Sequence, residues 1–98
     1  MLQRVVLFQF VTGVDQAAIE QHMADFRHLQ AAIPEIRSYR AGRATGNDNP
    51  GVFNSMHYLT FDSLTDIEIY AKHEAHQAFI ARNHEIWANV LALNAEIE

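Results

Sequence analysis

The chain has 98 residues, no cysteine, a formal net charge of −5, and 49% hydrophobic against 19% charged residues. That composition describes one small globular domain spanning 1–98, with a core thin enough to gain from pairing with a second subunit. The lack of cysteine excludes disulfides, zinc–thiolate sites and thiol nucleophiles. The acidic balance argues against nucleic acid or an anionic membrane as the main partner, since both require a basic face.

No apolar run approaches the roughly 20 residues that span a bilayer. The N-terminus lacks the length and cleavage site of a signal peptide, so a cytoplasmic protein is expected. Gln3 to Val11 reads as a strand. Val6, Phe8 and Phe10 share one face, and Val5, Leu7, Gln9 and Val11 share the other. Two apolar faces imply helices on one side and a second cover on the other, most simply another subunit's sheet.

Thr12-Gly13 signals a turn and Asp15 can cap the helix that follows. Ile19, Met23, Phe26, Leu29 and Ile33 form its apolar stripe, and Pro34 closes it. His22 and His28, like His84 further on, read as solvated helix positions. Ile36–Ala44 is a more polar strand whose Arg37, Arg40 and Arg43 fit an edge protected against aggregation. Thr45–Gly51 is a loop rich in turn formers. Asn54–Phe61 is a third strand, with Ser55, His57, Leu59 and Phe61 on one face.

The stretch from Phe61 to Phe79 carries the most specific pattern. Ser63 followed by Asp66 marks a helix start, predicting a helix over Leu64–Lys72 with a break near His73. Tyr70, His73 and His76 follow at intervals of three, a spacing that aligns side chains along one helical edge. A second helical piece runs from Glu74 towards Trp87. Asn89–Glu98 then reads as a fourth strand, with a helix continuing to Leu93 as the rival because Ala and Leu favour helices. The order β-α-β-β-α-β predicts an α+β, ferredoxin-like fold: an antiparallel four-stranded sheet with two helices on one face. Leu7, Val11, Met56, Tyr58, Leu91 and Ile97 would leave the other face apolar, which predicts a homodimer joined face to face.

The opening Arg-Val-Val-Leu-Phe-Gln-Phe, the Ala-Ala-Ile-Pro at the first helix end and the whole Phe61–Phe79 stretch resemble the stress-responsive α/β-barrel (Dabb) family over essentially the full length. That resemblance implies a dimeric barrel. One plant branch of the family is similar to a polyketide cyclase, which closes a ring by an intramolecular aldol step. Its Tyr–His pair matches Tyr70 and His76, and its pocket aromatics resemble Phe26, Phe79 and Trp87 in placement. Its two other histidines fall at Arg4 and Ser55. His57, two residues on along the same strand face, could partly replace the second, and Glu74 stands where the family has proline.

Two readings of different classes follow. In the first, a small apolar or carboxylated ligand sits between sheet and helices, touching Arg4, Phe8, Phe26, Phe79 and Trp87. In the second, the protein is a cofactor-free enzyme on a carbonyl substrate. His76 would be the base and Tyr70 the oxygen-orienting donor, with His57 and His73 in support. A neutral imidazole can take a proton α to a carbonyl, and a phenol can hold the oxygen on which charge develops. Tyr70 and His76 could instead simply satisfy each other in a polar core. Arg4 reads either as a clamp for a carboxylate or as a strand-end arginine reaching solvent or Glu98. His73 and His76 lack a third ligand at suitable spacing, so no metal site is expected.

Overall fold

A computed structural model of the chain describes residues 1–46 and 52–97. Most of the predicted Thr45–Gly51 loop, and Glu98, lie outside the described residues. The elements are β1 (Leu2–Phe10), α1 (Gln16–Ala32), β2 (Ser38–Arg43), β3 (Ser55–Phe61), α2 (Leu64–Lys72), α3 (Glu74–Asn83), a 3₁₀ turn at His84–Ile86, and β4 (Trp87–Glu96). The four strands form one sheet in the order β2-β3-β1-β4, with every neighbour antiparallel. This is the ferredoxin-like arrangement, and it makes β1 a central strand with β2 and β4 at the edges.

The central place of β1 explains its two apolar faces. Val6, Phe8 and Phe10 are buried beneath the helices with Ile19, Phe26, Leu29 and Ile33, where α1 covers the sheet. Burying such side chains stabilises by about 1.5–3 kcal/mol each, which makes this face the main source of stability. On the opposite face, Val5 and Leu7 pair with Tyr58 and Met56 of β3 and with Leu93 and Leu91 of β4. Among the described residues nothing covers that face: Met56, Leu91 and Leu93 are 46%, 52% and 66% exposed. Val11 and Ile97, expected on the same face, lie just beyond the strand ends.

β4 is a strand, not a continuation of α3. Its Ala and Leu residues favour a helix locally, but the backbone of β1 offers a full ladder of partners from Leu2 to Phe10, and tertiary pairing prevails. α3 accordingly stops at Asn83, short of Trp87. One irregularity matters for function. Gln9 faces Asn89 while Phe10 faces Trp87, so Ala88 is an extra residue in β4. A bulge of this kind reverses the alternation of side chains beyond it. Trp87 therefore turns towards the helices, although it has the same parity as Leu91 and Leu93 on the uncovered face.

Helix ends follow their sequence signals. Asp15 accepts a hydrogen bond from the Ala17 amide at 3.1 Å, and Ser63 Oγ accepts from the Asp66 amide at 3.2 Å. His73 ends α2 and starts α3, its Nδ1 accepting from the Ala75 amide at 3.0 Å. The single edge predicted to carry Tyr70, His73 and His76 is therefore broken at its middle residue. Ser63→Ala should cost about 1 kcal/mol in urea unfolding, and an unchanged midpoint would mean that the cap does not hold α2.

Candidate functional site

The break at His73 tilts α3 against α2 and brings His76 over Tyr70, with ring centroids 4.4 Å apart. His76 Nδ1 lies 3.0 Å from the carbonyl oxygen of Ala71. A carbonyl can only accept, so Nδ1 carries the hydrogen of the neutral ring and Nε2 is left with its lone pair. Burial holds the imidazole below its ordinary pKa, partly offset by the Ala71 bond and reinforced by the charge of Arg4. His76 is thus a neutral ring with a basic nitrogen at neutral pH.

Tyr70 is 1% exposed. Burial pushes its phenol up to about 12, opposed by the charge of Arg4 and a hydrogen bond from it. It therefore remains a donor. Arg4 comes from the helix-facing side of β1. Its guanidinium carbon is 5.9 Å from the Tyr70 ring centroid, and its Nη1 donates to Asn94 Oδ1 at 2.8 Å. Arg4 Nε is buried without a hydrogen-bond partner among the described residues. A buried donor left unmade costs of order 1–3 kcal/mol, so this nitrogen marks a place where an acceptor would be stabilised. Arg4 is neither free in solvent nor paired with a described acid.

Arg4, Tyr70 and His76 line one cavity of about 160 Å³. Phe8, Phe26, Phe79 and Trp87 form its aromatic wall, and Val90 and Ala92 of β4 line its partly open outer side. Every residue named from the sequence as a ligand contact therefore meets in one place, together with the Tyr–His pair. The two supporting histidines do not. His73 is a helix cap, and His57 lies behind Phe26, stacked on it at 3.9 Å between centroids. Ser55 is buried, its Oγ without a partner among the described residues.

The sequence reading placed His22 in solvent, but it is fully buried. The reason lies in its spacing: Ile19, His22, Phe26, Leu29 and Ile33 form a stripe as regular as the one drawn through Met23. His22 Nε2 meets His57 Nε2 at 3.2 Å, Trp87 Nε1 donates to His22 Nδ1 at 3.0 Å, and Tyr39 Oη meets His57 Nδ1 at 2.7 Å. The four side chains come from α1, β3, β4 and β2, and tie the sheet to the helix through one polar chain. Both histidines are held neutral by burial, well below their ordinary value, although Asp25 pulls His22 slightly back up. Among the described residues no group of three His, Asp or Glu side chains is arranged to hold a metal ion.

The buried pair has a consequence for acid stability. The folded values lie near 4 for His22 and near 3 for His57, below the 6.5 of a free histidine. The unfolded chain therefore binds more protons below pH 6.5, so the stability present above that pH falls as the solution is acidified. Urea unfolding between pH 7.5 and 5 should show a loss approaching about 1.4 kcal/mol per pH unit for each histidine. A flat profile across this range would contradict the neutral buried pair.

The fold finds counterparts among solved structures. The At3g17210 protein of Arabidopsis thaliana superposes with a TM-score of 0.90 at 21% identity, over 100% of this chain and 96% of that one. A hydroxynitrile lyase of Passiflora edulis gives 0.88 at 22% identity, over 99% and 93%. A dimeric ferredoxin-like protein of unknown function from Thermobifida fusca gives 0.85 at 24% identity, over 98% and 90%. No curated protein sequence matches the chain. No helix among the described residues is long and apolar enough to cross a membrane. The model of the stress responsive A/B barrel domain family matches residues 2–97. With that match spanning nearly its whole length, the chain belongs to the stress-responsive A/B barrel (Dabb) family.

Proposed function

We propose that the protein is a homodimer whose cavity binds a small carbonyl compound and moves a proton on it, with His76 as base and Tyr70 as donor to the oxygen. The observation that carries this reading is the bond between His76 Nδ1 and Ala71, which leaves Nε2 with its lone pair in a ring centred 4.4 Å from that of Tyr70. A base of this kind takes a proton from carbon or hydroxyl, charge grows on the substrate oxygen, and Tyr70 holds that oxygen by a hydrogen bond. Arg4, with a buried Nε unpaired among the described residues, adds positive charge to the same place and suits a substrate bearing a carboxylate or a developing oxyanion.

Size narrows the substrate. A cavity of about 150 Å³ is known to take up benzene, and this one has about 160 Å³. A compound with one ring and a carbonyl is favoured over a linear polyketide. The lyase named among the structural relatives supports the same direction, since releasing a carbonyl compound from a hydroxylated precursor also begins by removing a proton. The apolar face formed by Leu7, Met56, Leu91 and Leu93, and the dimeric state of relatives of this fold, support the homodimer.

Two experiments test this reading. Single-ring carbonyl and hydroxynitrile compounds would be assayed for proton exchange or cleavage with wild type, His76→Ala and Tyr70→Phe. His76→Ala should lose at least about 100-fold in rate, and Tyr70→Phe should lose on the order of 100-fold. The wild-type rate should hold at pH 7 and fall only on acidification below 6.5, where the base becomes protonated. Saturable binding with no turnover in any assay would leave a binding protein instead. Sedimentation at micromolar concentration should show a dimer for wild type and a monomer for Leu91→Asp. A monomeric wild type would remove the dimer.

A further inference from the structure

On the helix-facing side of the sheet, β1 and β4 contribute one row of directly opposed pairs: Phe8 with Val90, Val6 with Ala92, and Arg4 with Asn94. The first two pairs and Arg4 line the cavity, so Asn94 stands beside its cationic end. It lies on the other side of β4 from Leu91 and Leu93. Residues four apart on a strand are separated by about 13 Å. The row therefore runs from an aromatic end, where Phe8 meets Trp87 at 4.8 Å between centroids, to a charged end at Arg4.

Asn94 Oδ1 accepts from Arg4 Nη1 at 2.8 Å. The guanidinium is planar and its donors are fixed, so the choice of nitrogen matters. Nη1 lies on one edge of the group, and the Nε hydrogen points along another, beside Nη2. That second edge presents the parallel N–H pair that meets both oxygens of a carboxylate. Its Nε is buried and has no partner among the described residues. Arg4 is thus held by one edge and keeps Nε on the edge that fits a carboxylate.

The residue that holds it is also informative. An aspartate at this position would accept the same bond and cancel the charge as well. The chain uses acids in that way elsewhere, pairing Arg37 with Asp62 and Arg82 with Asp25. Glu96, two residues on along the same row, is bonded to the Met1 amine at 3.1 Å. Asn94 orients the guanidinium through a neutral oxygen and leaves its charge in place for something else.

We propose that Asn94 is a positioning residue for Arg4, and that the cavity takes a single-ring compound bearing a carboxylate, its anionic group on Arg4 and its ring among Phe8, Phe79 and Trp87. This rests on the reading of the cavity as a binding site and is independent of proton transfer by His76. A protein without turnover would still show it.

The test uses full-length, ¹⁵N-labelled protein at pH 7, titrated with benzoate and separately with benzamide, which has the same shape without the charge. Ionic strength is held constant with sodium chloride. Benzoate should bind at least about tenfold more tightly, equivalent to about 1.4 kcal/mol. It should also move the Arg4 Nε–H resonance, identified by its loss in Arg4→Lys, whereas benzamide should not. Asn94→Asp keeps the shape and the acceptor but neutralises Arg4. It should weaken benzoate about tenfold, with benzamide binding and the urea midpoint no lower than in wild type. A purely structural Asn94 would accept aspartate with no change in the preference. Equal affinity for the two compounds would leave the cavity as a binding site and overturn the carboxylate. An Arg4 signal unmoved by benzoate, or a full benzoate preference in Asn94→Asp, would equally overturn the proposal.

Discussion

The indole N–H of Trp87 can donate a hydrogen bond and cannot accept one, and the polar order of the core follows from where that group is held. The extra residue at Ala88 turns the indole towards the helices, where it meets His22. From there the hydrogens along His22, His57 and Tyr39 can be arranged in only one way while both rings are neutral. Around this chain the aromatic side chains pack edge to face or stacked: Phe8 against His22 at 4.5 Å, Phe26 against His57 at 3.9 Å. Such contacts add about 0.5–1.5 kcal/mol per pair beyond buried area. The polar chain and the aromatic packing fix one another, and Phe8, Phe26 and Trp87 are at the same time the wall of the cavity.

The cavity repeats the principle on a smaller scale. At His76 it is a backbone carbonyl, not a tryptophan, that fixes the hydrogen, and the helix break at His73 supplies that carbonyl by leaving Ala71 O near the end of α2 free of its usual partner. Gln77 Nε2 donates to the same oxygen at 2.8 Å, so the carbonyl is held from two sides. The proposed acid–base role needs a ring nitrogen with a free lone pair, and the main chain decides which nitrogen of His76 keeps it. Arg4 lies beside the Tyr70–His76 pair. A permanent positive charge in that position cannot exchange protons, so its contribution is electrostatic: it favours an anion and lowers the basicity of His76.

Much of this was readable from the sequence, and the failures have physical causes. The caps at Asp15 and Ser63, the span Leu64–Lys72, the order of elements and the meeting of Tyr70 with His76 rest on local signals that the fold leaves intact. His22 was misplaced because a polar residue inside an apolar stripe reads as solvent-facing unless a partner is known, and its partners His57 and Trp87 lie 35 and 65 residues away. Trp87 reads as the end of the second helical piece although it starts β4. Strict alternation along β4 would then have set it on the uncovered face, because a bulge leaves no mark in composition. The role of His73 also depended on geometry: the same residue type at the same spacing is a ligand on a continuous helix and a cap at a break.

The central claim is that bonds made by the fold, and not titration in solution, set the hydrogen positions on His22, His57 and His76. The ¹⁵N and ¹H spectrum of the histidine rings at pH 7 tests it directly. The account expects three neutral rings, with the hydrogen on Nε2 of His22 and on Nδ1 of both His57 and His76. A protonated ring at either buried position, or a hydrogen on Nε2 of His76, would contradict it.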